Sequence, residues 1–335
     1  MSISVVAVGI DHRHIFGMIE NTCAAGAHCL GFWTDGSPPT LDSFRMRFPE
    51  LRRFQNIESV FDSGAKLALI SAIPADRAAL AIRAMEAGMD VMVDKPGCTT
   101  LAQLSDIRDC VRRTGRIWSI NFSERFETPC STRADELVKA GAIGTVIQTV
   151  GLGPHRLNRA TRPDWFFKRA CFGGILTDIA SHQVDQFMHY SGATEAEVTM
   201  AFVANRANPE TPELQDFGEM ALRSEGATGY IRVDWFTPDA LPNWGDGRLT
   251  ILGTKGYIEL RKYVDVGGRT GTDHLVLVNG DRCENIDTRS AGLPYFTRLL
   301  ADIADRSETA MAQSHCFRVM ELALTAQALA ERDEP

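Results

Sequence analysis

The chain has no Cys-x-x-Cys pair, no run of basic residues, no low-complexity tract and no apolar stretch long enough to span a bilayer. Each absence excludes something. Without a basic patch, and with a formal net charge of −8, the sequence carries no electrostatic footprint for nucleic acid or an anionic membrane. Its eight cysteines (23, 29, 98, 110, 130, 171, 283 and 316) follow no regular spacing, which disfavours zinc or a disulfide framework. They read as small buried thiols of a cytoplasmic protein, and no metal site is expected. The opening run Met1-Ser-Ile-Ser-Val-Val-Ala-Val-Gly9 has neither a charged leader nor a cleavage site and reads as a buried strand.

What is present is a globular composition, 44% hydrophobic and 23% charged over 335 residues, enough for two domains. The pattern changes near residue 122, which divides the chain into 1–122 and 123–335. In the first part, strand candidates Val5–Gly9, Cys29–Thr34, Leu67–Ala72, Asp90–Asp94 and Ile117–Asn121 alternate with helical segments. Asp76 is placed to cap one helix before Gly88 stops it, and Thr100-Leu-Ala-Gln103 opens another as a capping box. This is α/β grammar, a doubly wound parallel sheet with its ligand beyond the carboxyl ends of the strands. The second part reads as α+β. One helix (131–140) precedes strand patterns beginning at 146 and at 196–203, 217–223, 228–236, 248–261 and 274–278. Their alternation predicts a mostly antiparallel open sheet, suited to a binding wall or a subunit interface. Helices are expected over 173–192 and 311–332.

Four groups carry candidate chemistry. Gly9-Ile10-Asp11-His12-Arg13-His14 stands where a dinucleotide fingerprint belongs but keeps one glycine of three. It serves either as a cofactor turn or as a structural turn in which Asp11 caps the next helix. Asp35, 26 residues after Gly9, either accepts from an adenosine ribose, favouring NAD over NADP, or is a turn residue before Gly36. Lys95 in Asp94-Lys95-Pro96 ends a strand, where an ammonium can polarise a reacting oxygen, although lysines at strand ends are commonly just solvated. On the predicted helix after Gly173-Gly174, Asp178, His182 and Asp185 share one face. That face is a solvated polar stripe or an imidazole general acid/base coupled to a carboxylate. His155, Arg156 and Trp165 are further candidates to line a cleft; the two basic residues would suit a polar substrate, acidic or heavily hydroxylated.

The order of these motifs resembles the Gfo/Idh/MocA family, which includes glucose–fructose oxidoreductase and inositol dehydrogenases. The likeness runs over nearly the whole chain and takes in Gly141-Ala-Ile-Gly144, Trp165 and Gly253-Thr-Lys-Gly256. It implies a Rossmann domain holding NAD, or less readily NADP, at Gly9, Ile10, Asp11, His12, Arg13, Asp35, Ala72, Ile73, Pro74, Asp94 and Lys95. It implies a homodimer or homotetramer formed through the C-terminal sheet. Substrate contacts are implied for Lys95, Arg125, His155, Arg156, Trp165, Asp178 and His182. Lys95 would polarise the reacting oxygen, His182 exchange its proton, and Asp178 orient substrate or imidazole. The sequence departs from the family at its glycine turn, at Ala72-Ile73-Pro74-Ala75, around Arg77-Ala78 where a histidine is common, and at Glu124. The expected activity is hydride transfer between nicotinamide and a sugar, polyol or related hydroxy/keto compound. The alternatives are an NAD-assisted elimination or hydrolysis on a sugar derivative and a non-catalytic sensor.

Overall fold

The computed structural model describes residues 3–332. Five strands, β1 (Ser4–Val8), β2 (His28–Trp33), β3 (Leu67–Ile70), β4 (Asp90–Asp94) and β5 (Trp118–Asn121), pair in parallel in the order β2-β1-β3-β4-β5. Strands β3, β4 and β5 are buried at every residue. A parallel sheet covered by helices on both faces requires such uninterrupted apolar runs. The strand order reverses between β1 and β3, so the crevice favoured for ligands lies beyond their carboxyl ends, at Gly9 and Ser71.

The remaining eight strands are β6 (Val146–Pro154), β7 (Glu197–Ala204), β8 (Phe217–Arg223), β9 (Thr228–Asp234), β10 (Arg248–Gly253), β11 (Gly256–Arg261), β12 (His274–Asn279) and β13 (Cys283–Ile286). They form a second sheet in the order β13-β12-β11-β10-β6-β9-β8-β7, antiparallel except where β6 meets β9. The hairpin at Thr254-Lys255 joins β10 to β11 as its turn chemistry predicts. Strand β13 and the helix Pro294–Asp305 were not anticipated, although apolar residues at 295, 296, 299, 300 and 303 carry a helical period.

The chain divides into two compact units. The first holds the chain to Asn121 with Ala170–Gly173 and Pro294–Met320; the second holds Phe122–Arg169, Gly174–Leu293 and the chain from Glu321. A single cut near residue 122 therefore omits the return of 294–320 to the first unit. Three contacts fix that segment there: Tyr295 Oη to Ser119 Oγ at 2.7 Å, Gln313 Oε1 accepting from Trp118 N at 2.9 Å, and Arg306 on Asp90 at 2.7 and 2.8 Å.

Local signals held unevenly. Thr100 caps its helix by accepting from Gln103 N at 3.1 Å, but Gln103 reaches back to Thr99 N at 2.8 Å, one residue further than a regular capping box. Asp76 makes no side-chain cap, because Pro74–Asp76 forms a tight turn that leads straight into the helix Arg77–Glu86. Asp11 does not cap either; the helix His14–Ala24 starts at Arg13 without a side-chain cap.

The helix expected over 173–192 is two pieces, Ile175–Asp178 and Ala180–Ser191, broken at Ile179. Its residues 180–188 are all buried and Asp178 is half-buried, so the solvated-stripe alternative does not hold for His182 and Asp185. The paired glycines before it serve packing. A Cβ on Gly173 would strike Thr99 in the first unit, and one on Gly174 would strike Gln327 in the second.

Candidate functional site

In the first unit the site is built where β1, β3 and β4 end. Gly9 has φ +70°, and a Cβ there would lie 2.5 Å from that of Ala72, so this glycine is required. Its N–H donates to Trp33 O at 2.8 Å, and His12 N donates to Ser71 O at 3.0 Å. The turn is therefore stitched to both neighbouring strands.

Asp94, fully buried, is the hub of the site. It accepts from His12 Nδ1 and His14 Nδ1, each at 2.8 Å, from Ser71 Oγ at 3.0 Å and from Arg77 Nη2 at 3.1 Å. Burial alone would raise its pKa, but His14, Arg77 and His12 together hold it well below the usual carboxylate range. An ionised carboxylate only accepts, so both Nδ1 atoms are donors. Burial and the adjacent His14 push His12 down to about 4 despite Asp94, so at neutral pH His12 is uncharged with its lone pair on Nε2. The ligand atoms of His12, His14 and Asp94 lie within 4.8 Å of one another, a grouping that no sequence spacing announced. The Arg77 guanidinium already supplies the charge that balances Asp94, so the cluster reads as a hydrogen-bonded hub.

Arg77 is the residue that the sequence reading missed, noted there only as a replaced histidine. With 1% of its surface exposed, it donates from Nε to Ala72 O at 2.8 Å. From Nη1 it donates to the carbonyls of Asp94, Lys95 and Pro96 at 3.0, 2.5 and 3.1 Å. It thus clamps the strand end that carries Lys95, itself 4% exposed, to the Ala72-Ile73-Pro74 turn. The Lys95–Pro96 peptide is cis.

Asp11 is half-buried and its pKa is raised to about 6, chiefly by burial, against Arg77 and with help from Asp76 and Asp35. Asp76 is raised by burial and by Asp35. Asp35 is exposed, in a turn whose flanking carbonyls, Thr34 O and Gly36 O, accept from Arg53 at 2.9 and 2.6 Å. Arg13 is exposed. The required Gly9, the reversal of strand order and Asp35 fit a dinucleotide. The two missing glycines are filled by Asp11, which burial inclines to take up a proton, and by His14, whose ring turns away to Asp94.

In the second unit the predicted residues separate by role. His182 is buried, 2% exposed, with its ring edge-on to Phe122 at 6.3 Å. Asp178 is half-buried and within electrostatic reach of Arg162, whose own pKa is lowered by burial. His155 Nδ1 donates to Gly153 O at 3.0 Å, its ring 4.6 Å from Trp244 and 5.3 Å from Trp235. Trp165 is half-buried beside Phe166.

Two expected substrate contacts are otherwise engaged. Arg125 gives Nε and Nη2 to the two oxygens of buried Asp185, both at 2.6 Å, so this is an internal ion pair. Arg156 donates to the carbonyls of Pro238 and Leu241 at 2.8 and 2.5 Å and fastens the loop that follows β9. The sequence missed Lys262, fully buried, whose Nζ lies 2.8 Å from Glu124 Oε2.

A doubly wound parallel sheet with a glycine turn at its reversal point, followed by a large antiparallel sheet, defines a nucleotide-binding type of two-domain protein. The chain belongs to the Gfo/Idh/MocA oxidoreductase family. Residues 22–122 match its NAD-binding Rossmann-fold profile and residues 131–259 its C-terminal domain. The first match begins downstream of the altered turn. A solved putative oxidoreductase from Erwinia carotovora atroseptica SCRI1043 is 43% identical over 98% of this chain and 99% of its own, with a TM-score of 0.94. The scyllo-inositol 2-dehydrogenase (NAD(+)) of Bacillus subtilis is 27% identical over 76% of this chain and 72% of that protein. The levoglucosan dehydrogenase of Pseudarthrobacter phenanthrenivorans is 30% identical over 47% of this chain and 41% of that protein. Across three curated relatives the chain spans 60%, 48% and 41% of their length. No helix among the described residues is long and apolar enough to cross a membrane.

Proposed function

We propose that the protein is an NAD-dependent dehydrogenase or reductase of a polyol or sugar, with His182 as the proton-exchanging group, Lys95 polarising the reacting oxygen and Asp178 orienting the substrate. The observation that carries this is a buried imidazole, His182, in a chain of an oxidoreductase family, next to Gln183, whose Nε2 donates to the buried Glu124 carboxylate at 3.0 Å. Glu124 is pulled down to about 2 against its burial, by Lys262 first and then by His182 and His155. A base held in such a field is suited to alcohol oxidation. Nicotinamide, when bound, supplies the hydride chemistry; the protein supplies position and the proton path. Gly9 and the turn after it would hold the pyrophosphate, and Asp35 the ribose. Asp76 and Asp35 help raise Asp11, and Asp35 helps raise Asp76; this acidic edge supports NAD over a 2′-phosphorylated cofactor.

The inositol and levoglucosan dehydrogenases among the relatives support a cyclic hydroxylated substrate. Eight free thiols support a reducing, cytoplasmic setting. Met200 and Phe202 on β7, with the facing pair Leu252 and Tyr257 on β10 and β11, are exposed apolar residues of one sheet face and support a homodimer or homotetramer.

The test is turnover and cofactor binding by His182→Ala. NADH fluorescence should still report binding, while turnover falls about 10²–10⁴-fold. A loss of only a few-fold removes His182 from proton transfer. The altered turn, with Asp11 in place of a glycine, is the one observation that favours a non-catalytic sensor. Calorimetric titration showing no binding of NAD or NADP would establish that reading instead.

A further inference from the structure

Gln183, next to His182 in the chain, joins a buried charged cluster to which the proposed hydride transfer gives no substrate contact. Glu124 is 1% exposed and Lys262 is not exposed at all. All of the hydrogen bonding falls on one carboxylate oxygen. Oε2 accepts from Lys262 Nζ at 2.8 Å, Gln183 Nε2 at 3.0 Å and Gln186 Nε2 at 3.3 Å, and Lys262 is shared with Gln186 Oε1 at 3.0 Å. Glu124 Oε1 is buried and has no protein partner, and the same is true of Gln183 Oε1. Two buried acceptors without donors, on side chains that hydrogen-bond each other, are costly unless water or a ligand meets them.

Their position is built. A Cβ on Gly151 would come 2.7 Å from Gln183 Cγ, and one on Gly153 would come 3.0 Å from Gln183 Nε2, so β6 carries glycine where this side chain passes. A Cβ on Gly247 would stand 3.0 Å from the Tyr263 ring and 3.8 Å from Glu124 Oε2. Tyr263 in turn packs on Trp244 at 4.6 Å, and Trp244 is 38% exposed. An anionic acceptor, a neutral acceptor and an accessible indole are therefore neighbours within the second unit.

We propose that Glu124 is a specificity-determining substrate contact. Its Oε1, with Gln183 Oε1, accepts hydrogen bonds from hydroxyls of a neutral polyhydroxylated ring whose apolar face rests on Trp244. Two acceptors, in a cluster whose lysine is already engaged, select donors. Lys262 is engaged by Glu124 and Gln186, so the lysine of this cluster is not available to neutralise a carboxylate or phosphate on the ligand. A sugar acid would place a second negative charge against a buried anion. The sequence suggested an acidic or a heavily hydroxylated substrate; this cluster selects the neutral one. The inference rests on the polyol reading of the function and narrows it.

The experiment titrates full-length protein, saturated with NADH, with myo-inositol, D-glucose and D-glucuronate, following tryptophan fluorescence. Wild type should bind a neutral ring at least about tenfold tighter than glucuronate, the size of one charge-assisted hydrogen bond. Glu124→Gln should weaken the neutral ring about tenfold or more and narrow the gap to glucuronate, with NADH affinity unchanged. An unpaired Lys262 can unfold that variant, so Glu124→Gln/Lys262→Met, which removes both charges, is measured alongside. Unchanged affinity for the neutral ring in either folded variant overturns the assignment. So does a wild-type preference for glucuronate, which leaves the dehydrogenase reading standing. Failure of wild type to bind any of the three while it binds NADH removes the polyol reading and this inference with it.

Discussion

Replacing Arg77 by alanine tests whether the first unit is held at its ligand-binding edge by one buried guanidinium. The side chain meets five acceptors: four carbonyls, from Ala72, Asp94, Lys95 and Pro96, and the Asp94 carboxylate. Breaking a buried ion pair from one side costs about 3–5 kcal/mol, because the remaining charge stays desolvated. Each buried carbonyl left without a donor adds a cost of about 1–3 kcal/mol, partly relieved by water entering the gap. These costs are not additive, since His12, His14 and Ser71 still serve Asp94. The expected loss is at least about 4 kcal/mol, a large part of the ~5–15 kcal/mol that stabilises a domain. Arg77→Lys keeps the charge, but a single ammonium cannot span acceptors from Ala72 to Pro96; about half of the loss should remain. Urea unfolding gives the size, and hydrogen exchange over residues 90–97 gives the place, which matters because two units need not unfold together. A stability change below about 0.5 kcal/mol for Arg77→Ala, the range of ordinary surface substitutions, would refute the clamp. The sign with pH is also set. The Asp94 pKa is depressed in the folded state, so its contribution is present above the ordinary carboxylate value and lost only as pH falls through the depressed one.

Asp11 behaves in the opposite sense. Its folded pKa is raised to about 6 from 3.8, so its ionisation opposes folding, and its favourable contribution disappears as pH rises through 6. Between pH 4 and 8 wild type should lose up to about 3 kcal/mol relative to Asp11→Asn in urea unfolding, and parallel curves would contradict this. NADH affinity should likewise fall as pH rises through 6 in wild type and flatten in Asp11→Asn, read by nicotinamide fluorescence. Gly9→Ala forces a side chain into left-handed backbone and against Ala72, and should cost about 2 kcal/mol or more while abolishing dinucleotide binding. A Gly9→Ala protein with wild-type melting and NADH affinity would remove the turn from the site.

Some of this protein is written locally and some is not. The parallel sheet was legible because each strand is short, apolar and bounded by turn residues, and β4 runs from Asp90 to Asp94 as its pattern requires. The β10–β11 hairpin and the helix stop at Gly88 were legible for the same reason: glycine geometry acts over a few residues. The order of Gly9, Asp94-Lys95-Pro96 and Asp178…His182 identified the family without coordinates. The partners of charged side chains were not legible. Asp94 meets His12 across 82 residues, Arg125 meets Asp185 across 60, and Lys262 meets Glu124 across 138. No periodicity connects such positions. Arg125 therefore passed for a substrate contact, and Arg77 passed for a lost histidine. Even the shared face of Asp178 and His182 depended on an unbroken helix, which the chain interrupts at Ile179. Local sequence determines backbone conformation because its forces act between near neighbours. Which carboxylate is balanced, which is left with an open oxygen, and so which ligand is admitted, is decided only when distant strand ends are folded against one another.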